Sequence, residues 1–224
     1  MTGVQTCALP ISLDKEIKEN ILFLINSLQS NGHTVIKIDF DLLDYVVPAY
    51  YVLTTAEASS NLNRYDGIRY GYQTRDNNKE LTEFYKQNRS DGFGKEVQRR
   101  IMLGTFVLSS GYYDAYFSKA QQVRRMLVDN TEAIFAEYDA VIMPTSPSTA
   151  FTIGEKNNDP IAMYLADIFT VFANLTGTPG ISIPLFKHSN GMPFGLQIMT
   201  KKTDELTLLK LADYLIKNPA VKST

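Results

Sequence analysis

The chain has 224 residues, 44% of them hydrophobic, and 22 basic against 24 acidic side chains give a net charge of −2. That length and composition suffice to bury about 70% of the surface an unfolded chain exposes, so one sizeable domain is expected rather than two small ones, and the absence of a basic balance excludes a dedicated nucleic-acid-binding protein. One cysteine, Cys7, and two histidines leave neither an internal disulfide nor a zinc-ligand spacing, which predicts a reducing, cytoplasmic setting, and no apolar run reaches the ~18 residues of a membrane span.

The first twelve residues, MTGVQTCALPIS, have weak periodicity and no cationic start, and do not read as a signal peptide. They look like a translated adapter of the kind found at broken ends of assembled genes, with a native protein that continues upstream; the alternative is a disordered native tail. From Asp14 to Gln29, Ile17, Ile21, Leu22, Leu24, Ile25 and Leu28 recur at helical spacing, and Asn31-Gly32 supplies a stop. The β-branched run Thr34–Ile38 predicts a strand. Pro48 is expected to open a second helix through Asn61, followed by a polar, aromatic loop from Arg64 to Asn78. Further helices are predicted over 79–88, 94–109 and 113–137. Ala140–Met143 reads as a short strand closed by Pro144–Pro147, and 160–175 as another helix. The last third alternates strand Gly180–Pro184, turn Ser189–Gly191, strand Gly195–Met199 and a helix from Asp204 to Ile216. Strands bounded by prolines and glycines and separated by long helices indicate an α/β fold, a sheet covered by helices.

A search for catalytic machinery mostly fails. There is no G-x-S-x-G elbow, no Walker P-loop, no H-E-x-x-H and no acidic metal-binding loop, so no metal is expected. Ser59-Ser60 and Ser109-Ser110 lie within or at the end of predicted helices without a neighbouring base, which suits packing or capping. Gly92-Phe93-Gly94-Lys95 is followed by Glu96 and preceded by no strand, so it reads as a turn with a helix start. His33 and His188 lie in turns and read as surface residues. Two charges stand out instead. Asp167 is the only one between Ile161 and Leu175, and a carboxylate buried there would cost several kcal/mol unless paired, roughly. Arg100, the last charge before the apolar run 101–108, is a candidate partner. The pair is either a structural salt bridge or exposed helix surface on one reading, or two groups that each bind one charge of a zwitterion on the other. Thirteen tyrosines and no tryptophan, clustered at Tyr50-Tyr51, Tyr70, Tyr72, Tyr112-Tyr113 and Tyr116, suit pocket walls, interfaces or core packing.

Several segments together carry a family resemblance: Pro48–Tyr51, Ala56–Leu62 (AEASSNL), Arg64–Gly71 (RYDGIRYG), Gly92–Gly94, Glu96–Phe106 (EVQRRIMLGTF), Gly111–Tyr116, Met143–Pro147, Asp159–Tyr164, Pro179–Pro184 and Pro193–Ile198. They resemble the A-subunit family of the glutamyl-tRNA(Gln)/aspartyl-tRNA(Asn) amidotransferases, within the amidase-signature family, from Asp14 to the C-terminus. The resemblance implies a mixed β-sheet between helices, with residues 13–224 as the C-terminal part of an amidase domain truncated at its N-terminal side and 1–12 as a non-native junction or tail. It implies a serine that attacks the side-chain amide of glutamine, a lysine acting through a bridging serine, and an oxyanion held by backbone N–H groups. In the family those groups precede the matched region, and this chain has no comparable Gly-Gly-Ser or lysine, so it carries no catalytic residue and is expected to be inactive alone. What carries over is recognition: Tyr51, Arg100 and Asp167 look like the glutamine-binding positions, with Arg100 on the α-carboxylate and Asp167 on the α-ammonium. The implied partners are glutamine and the B and C subunits of a heterotrimer, with tRNA reached only through the complex and no membrane. No cofactor is implied in this subunit; ATP and magnesium are used by the partner subunit. The alternatives are another amidase-signature hydrolase independent of tRNA, or a non-catalytic binding protein derived from the fold.

Overall fold

In the computed structural model, which describes residues 3–7, 13–38, 40–67, 69–74, 80–154 and 166–218, the first helical pattern forms α1 (Lys15–Ser30). The Asp14 carboxylate starts it by accepting from the N–H groups of Glu16 at 2.9 Å and Ile17 at 3.1 Å, two donors that would otherwise lack helical partners. Ile17, Ile21, Leu24 and Leu28 then form one stripe that is fully or almost fully buried, and each such side chain contributes about 1.5–3 kcal/mol relative to exposure. Strand β2 (Thr34–Ile38) follows the Asn31-Gly32 stop.

The sheet contains β1 (Gly3–Cys7), β2, β3 (Ala140–Pro144), β4 (Gly180–Lys187) and β5 (Pro193–Thr200), in the order β2-β1-β3-β5-β4. Strand β1 pairs parallel with β2 and β3, while β5 pairs antiparallel with β3 and β4, so the sheet is mixed. All five residues of β3 are buried, so both faces of this strand are covered. Part of the segment set apart in the sequence as junction or tail thus has strand backbone, Gly3 in register with Thr34 and Val4 with Ala140; the rest of 1–12 lies outside the described residues. The β4–β5 turn closes with the Gly191 N–H on the His188 carbonyl at 2.8 Å and the His188 N–H on the Met192 carbonyl at 2.9 Å. A last helix, here α7 (Glu205–Lys217), is capped by Asp204 and buries Leu208, Leu211, Ala212 and Leu215. These residues join the α1 stripe and Ile142, Ile183, Leu196 and Ile198 in one core.

Two compact units divide the chain, residues 1–47 with 124–224 and residues 48–123, where composition favours a single domain. The first holds the sheet, α1 and α7. The second is helical. It contains most of α2 (Leu43–Asn61), then α3 (Leu81–Gly92) and α4 (Lys95–Val107). Helix α2 starts five residues before Pro48, the residue that the sequence favours as its opening. A proline inside a helix forfeits one backbone hydrogen bond, but Val46 and Ala49 on either side of it are buried and hold the helix through the defect. Helix α3 runs on to Gly92, and Gly94 caps α4. The loop after Asn61 is pinned by Arg89, whose Nη1 donates to the carbonyls of Leu62 at 2.9 Å, Asn63 at 3.3 Å and Tyr65 at 2.5 Å. A π-helical turn, Asp114–Ser118, leads into α5 (Lys119–Glu137).

Of the helix predicted over 160–175, residues 160–165 lie outside the described residues. Its described end is a turn at 167–169 followed by α6 (Thr170–Thr176). Gly177 ends α6 in the left-handed conformation, φ 69°, which glycine adopts without a Cβ clash. Among the described residues no helix is long and apolar enough to cross a membrane.

Candidate functional site

In the helical unit, Tyr51 on α2 and Arg100 on α4 come together because the two helices approach at Gly104. A Cβ on Gly104 would collide with the Thr55 carbonyl and lie 2.6 Å from the Ser59 Cβ; one position on, Ser59 Oγ and Thr105 Oγ1 are hydrogen-bonded at 3.0 Å. The pairs 51 with 100, 55 with 104 and 59 with 105 step along both helices in the same sense. One turn before the contact, the Arg100 guanidinium therefore lies over the Tyr51 ring, 5.8 Å from its centroid. Its Nε donates to Glu96 Oε1 at 3.1 Å, and the other Glu96 oxygen takes Arg99 Nη1 at 2.8 Å. The Arg100 side chain is 34% exposed. A partly exposed i,i+4 pair contributes about 0.3–0.5 kcal/mol and a cation–π contact about 0.5–1, so the side chain is oriented rather than locked. The acidic partner that Arg100 has here is Glu96 on its own helix, not the Asp167 carboxylate weighed as its partner in the sequence.

Asp167 departs from expectation. Its side chain is not buried, while Ile168 at 7% and Phe169 at 1% exposure are. The stretch is apolar in composition but amphipathic in space: Asp167, Thr170 and Asn174 stand outside the core at i, i+3 and i+7, one face of a helical path. Desolvation therefore does not demand the buried partner that the composition suggests. The Asp167 backbone is held in place, its carbonyl accepting from the Val171 N–H and from Thr170 Oγ1, both at 3.1 Å.

Two residues of this framework are not singled out by the sequence. Glu96 stands four positions before Arg100, a spacing that places both on one helix face. Gln197 interrupts the apolar run 196–199 of β5, is 6% exposed, and donates Nε2 to the Phe169 carbonyl at 3.1 Å. A third group, the Thr145 and Ser182 hydroxyls, meets at 2.6 Å where β3 and β4 flank Gly195. Two of the four serines read as structural make such contacts: Ser59 bonds Thr105, and Ser109 Oγ donates to the Phe106 carbonyl at 2.7 Å. His188 is more enclosed than a surface residue, its side chain 14% exposed, with Nε2 3.2 Å from Glu16 Oε2 and Nδ1 accepting the Asn190 N–H at 3.1 Å. It ties the β4–β5 turn to the start of α1. Tyr65, Tyr70 and Tyr72 line a pocket of about 190 Å³ with Asn88, Arg89 and Phe93. Among the described residues no group of three or more His, Cys, Asp and Glu side chains is arranged to hold a metal ion.

The family described as amidase matches residues 3–209. The A subunit of the glutamyl-tRNA(Gln) amidotransferase of Brevibacillus brevis is 52% identical over 200 residues, covering 89% of this chain and 41% of its own length. That of a Geobacillus species is 48% identical over 214 residues, covering 92% and 44%. Among solved structures, the A subunit of the glutamyl-tRNA(Gln) amidotransferase from Thermotoga maritima superposes with a TM-score of 0.72 at 36% identity, covering 97% of this chain and 42% of its own. A crystal structure of an amidase at 20% identity, TM-score 0.72, covers 96% and 45% and shares the fold alone. The chain thus spans about two fifths of the length of the curated relatives it matches.

Proposed function

We propose that this chain, which belongs to the amidase family, is the glutamine-recognising, C-terminal part of the A subunit of a tRNA-dependent amidotransferase. The observation that carries this is the 52% identity over 200 residues to the A subunit of a glutamyl-tRNA(Gln) amidotransferase, against 20% for an amidase that shares only the fold. In the whole subunit glutamine is hydrolysed, and the ammonia converts Glu-tRNA(Gln) or Asp-tRNA(Asn) to the amidated form. The B and C subunits complete the heterotrimer in the cytoplasm, and tRNA is met only through the complex. This subunit uses no cofactor; ATP and magnesium serve the partner subunit.

Glutamine differs from a simple amide by an α-ammonium and an α-carboxylate, and the chain offers a complementary charge for each. Arg100 takes the α-carboxylate. With Nε turned to Glu96, the guanidinium keeps its terminal nitrogens for a bidentate bond, and the Tyr51 ring supports its plane from one side. Asp167, outside the core at the head of α6, takes the α-ammonium. Neither group touches the scissile amide, so their contribution is to bind and orient glutamine for a nucleophile elsewhere in the subunit.

Calorimetric titration of glutamine into the 224-residue chain, with ammonia assayed in parallel, tests the proposal. The expected result is binding without ammonia release above a buffer blank, weakened at least about tenfold by Arg100→Ala, less than the roughly 30-fold minimum for truncating one member of a buried charge pair because this guanidinium is partly exposed. Ammonia release, or binding that Arg100→Ala leaves unchanged, contradicts it.

A further inference from the structure

An amide side chain buried in a sheet lowers stability unless its polar atoms are bonded, and Gln197 is such a side chain. It lies on β5, in register with Met143 on β3 and Ser182 on β4, and is 6% exposed. Its neighbours Leu196, Ile198 and Met199 are fully buried, so an apolar residue would suit the core at least as well. What the glutamine adds is a donor. Nε2 bonds the Phe169 carbonyl at 3.1 Å, in a contact buried at both ends, and lies 3.6 Å from the Met199 sulfur.

Phe169 is where position matters. It caps the start of α6, and its ring is 1% exposed. Two residues earlier is Asp167, whose carbonyl is bonded by Thr170 Oγ1 and by the Val171 N–H. A helix of seven residues is too short to be stable through its own hydrogen bonds. Its placement depends on the packing of its buried Val171, Phe172 and Leu175 and on what grips its ends. At the far end Arg124 Nε donates to the Leu175 carbonyl at 3.0 Å; at the near end the grip is Gln197. A bond to the backbone two residues from a carboxylate fixes the root of that side chain without competing for its charge.

We infer that Gln197 is a positioning residue for Asp167: it anchors the 167–169 turn to the sheet and so sets the place of the carboxylate that receives the α-ammonium of glutamine. This rests on the glutamine reading above and extends it to a residue that touches no substrate. The test is calorimetry on the whole 224-residue chain with glutamine and with glutaramate, which lacks the α-ammonium. Gln197→Met keeps length and apolar volume but removes the donor. It should weaken glutamine about tenfold, equivalent to about 1.4 kcal/mol, and change glutaramate by less than about twofold. Thr170→Val, at an exposed position that cannot disturb the core, should act in the same direction with a smaller loss. Hydrogen exchange at the Val171 amide, bonded to the Asp167 carbonyl, should accelerate in Gln197→Met. Equal loss for both ligands, or no loss for either, overturns the positioning role. If the unsubstituted chain binds neither ligand, the glutamine reading itself fails; unchanged Val171 exchange in Gln197→Met then removes the anchoring role as well.

Discussion

In the helical unit, residues 48–123, the candidate charge is fixed at its tip: the Arg100 guanidinium is bonded to Glu96 and laid on Tyr51, on a helix brought close by Gly104. In the sheet-bearing unit it is fixed at its root. Asp167 is oriented by bonds to its own carbonyl and to that of Phe169. The two devices differ in what they ask of a ligand. A carboxylate that binds Arg100 meets a guanidinium already partnered at one edge, so it gains orientation and shares charge. An ammonium that binds Asp167 meets a carboxylate whose own carbonyl is bonded by Thr170 and Val171 and whose turn is tied to the sheet through Phe169.

The largest break in this comparison is expected at Gly104. In Gly104→Ala the new methyl meets the Thr55 carbonyl, a backbone atom that cannot rotate away, so α2 and α4 must separate. Urea unfolding should report a loss of about 1–3 kcal/mol, and glutamine binding should fall with it as Tyr51 and Arg100 part. Unchanged stability would mean the two helices do not pack at this distance. A much smaller effect is expected from Glu96→Gln. Glu96 and Arg100 side chains are 54% and 34% exposed, and such pairs contribute under about 1 kcal/mol. The same unfolding measurement should find a small loss that shrinks further in high salt. A loss of several kcal/mol would show that Glu96 carries the helix rather than orienting one side chain.

Much of the secondary structure is legible because single segments declare it. Ile17, Ile21, Leu24 and Leu28 mark the inner face of α1 by spacing alone, and Gly195–Met199 reads as a strand from its apolar content. That the sheet is mixed and covered by helices follows from the family resemblance, and the match to solved relatives bears it out. The division into two units is not legible, for a physical reason. Both boundaries, at Val47/Pro48 and Val123/Arg124, fall inside continuous helices, α2 and α5, so no linker composition marks them. The composition of 161–175 points to a buried Asp167 and is misleading there; the facing of Asp167, Thr170 and Asn174 to one side is a matter of phase. Gln197 does leave a signal, a lone amide in the apolar run 196–199, but its importance emerges only once Phe169, 28 residues away in sequence, is seen to accept its bond.

The proposed recognition of glutamine by its two α-groups, one through Arg100 and one through Asp167, is tested most directly by a cross-titration. Glutamine, glutaramate and γ-aminobutyramide, which lacks the α-carboxylate, are titrated into the unsubstituted chain, Arg100→Ala and Asp167→Asn. The unsubstituted chain should prefer glutamine over each truncated ligand by at least about tenfold, the scale of one lost charged contact. Arg100→Ala should abolish the preference over γ-aminobutyramide while keeping that over glutaramate, and Asp167→Asn should do the reverse. If both truncated ligands bind the unsubstituted chain as tightly as glutamine does, or if either substitution erases both preferences together, the assignment of one charge to each residue is wrong.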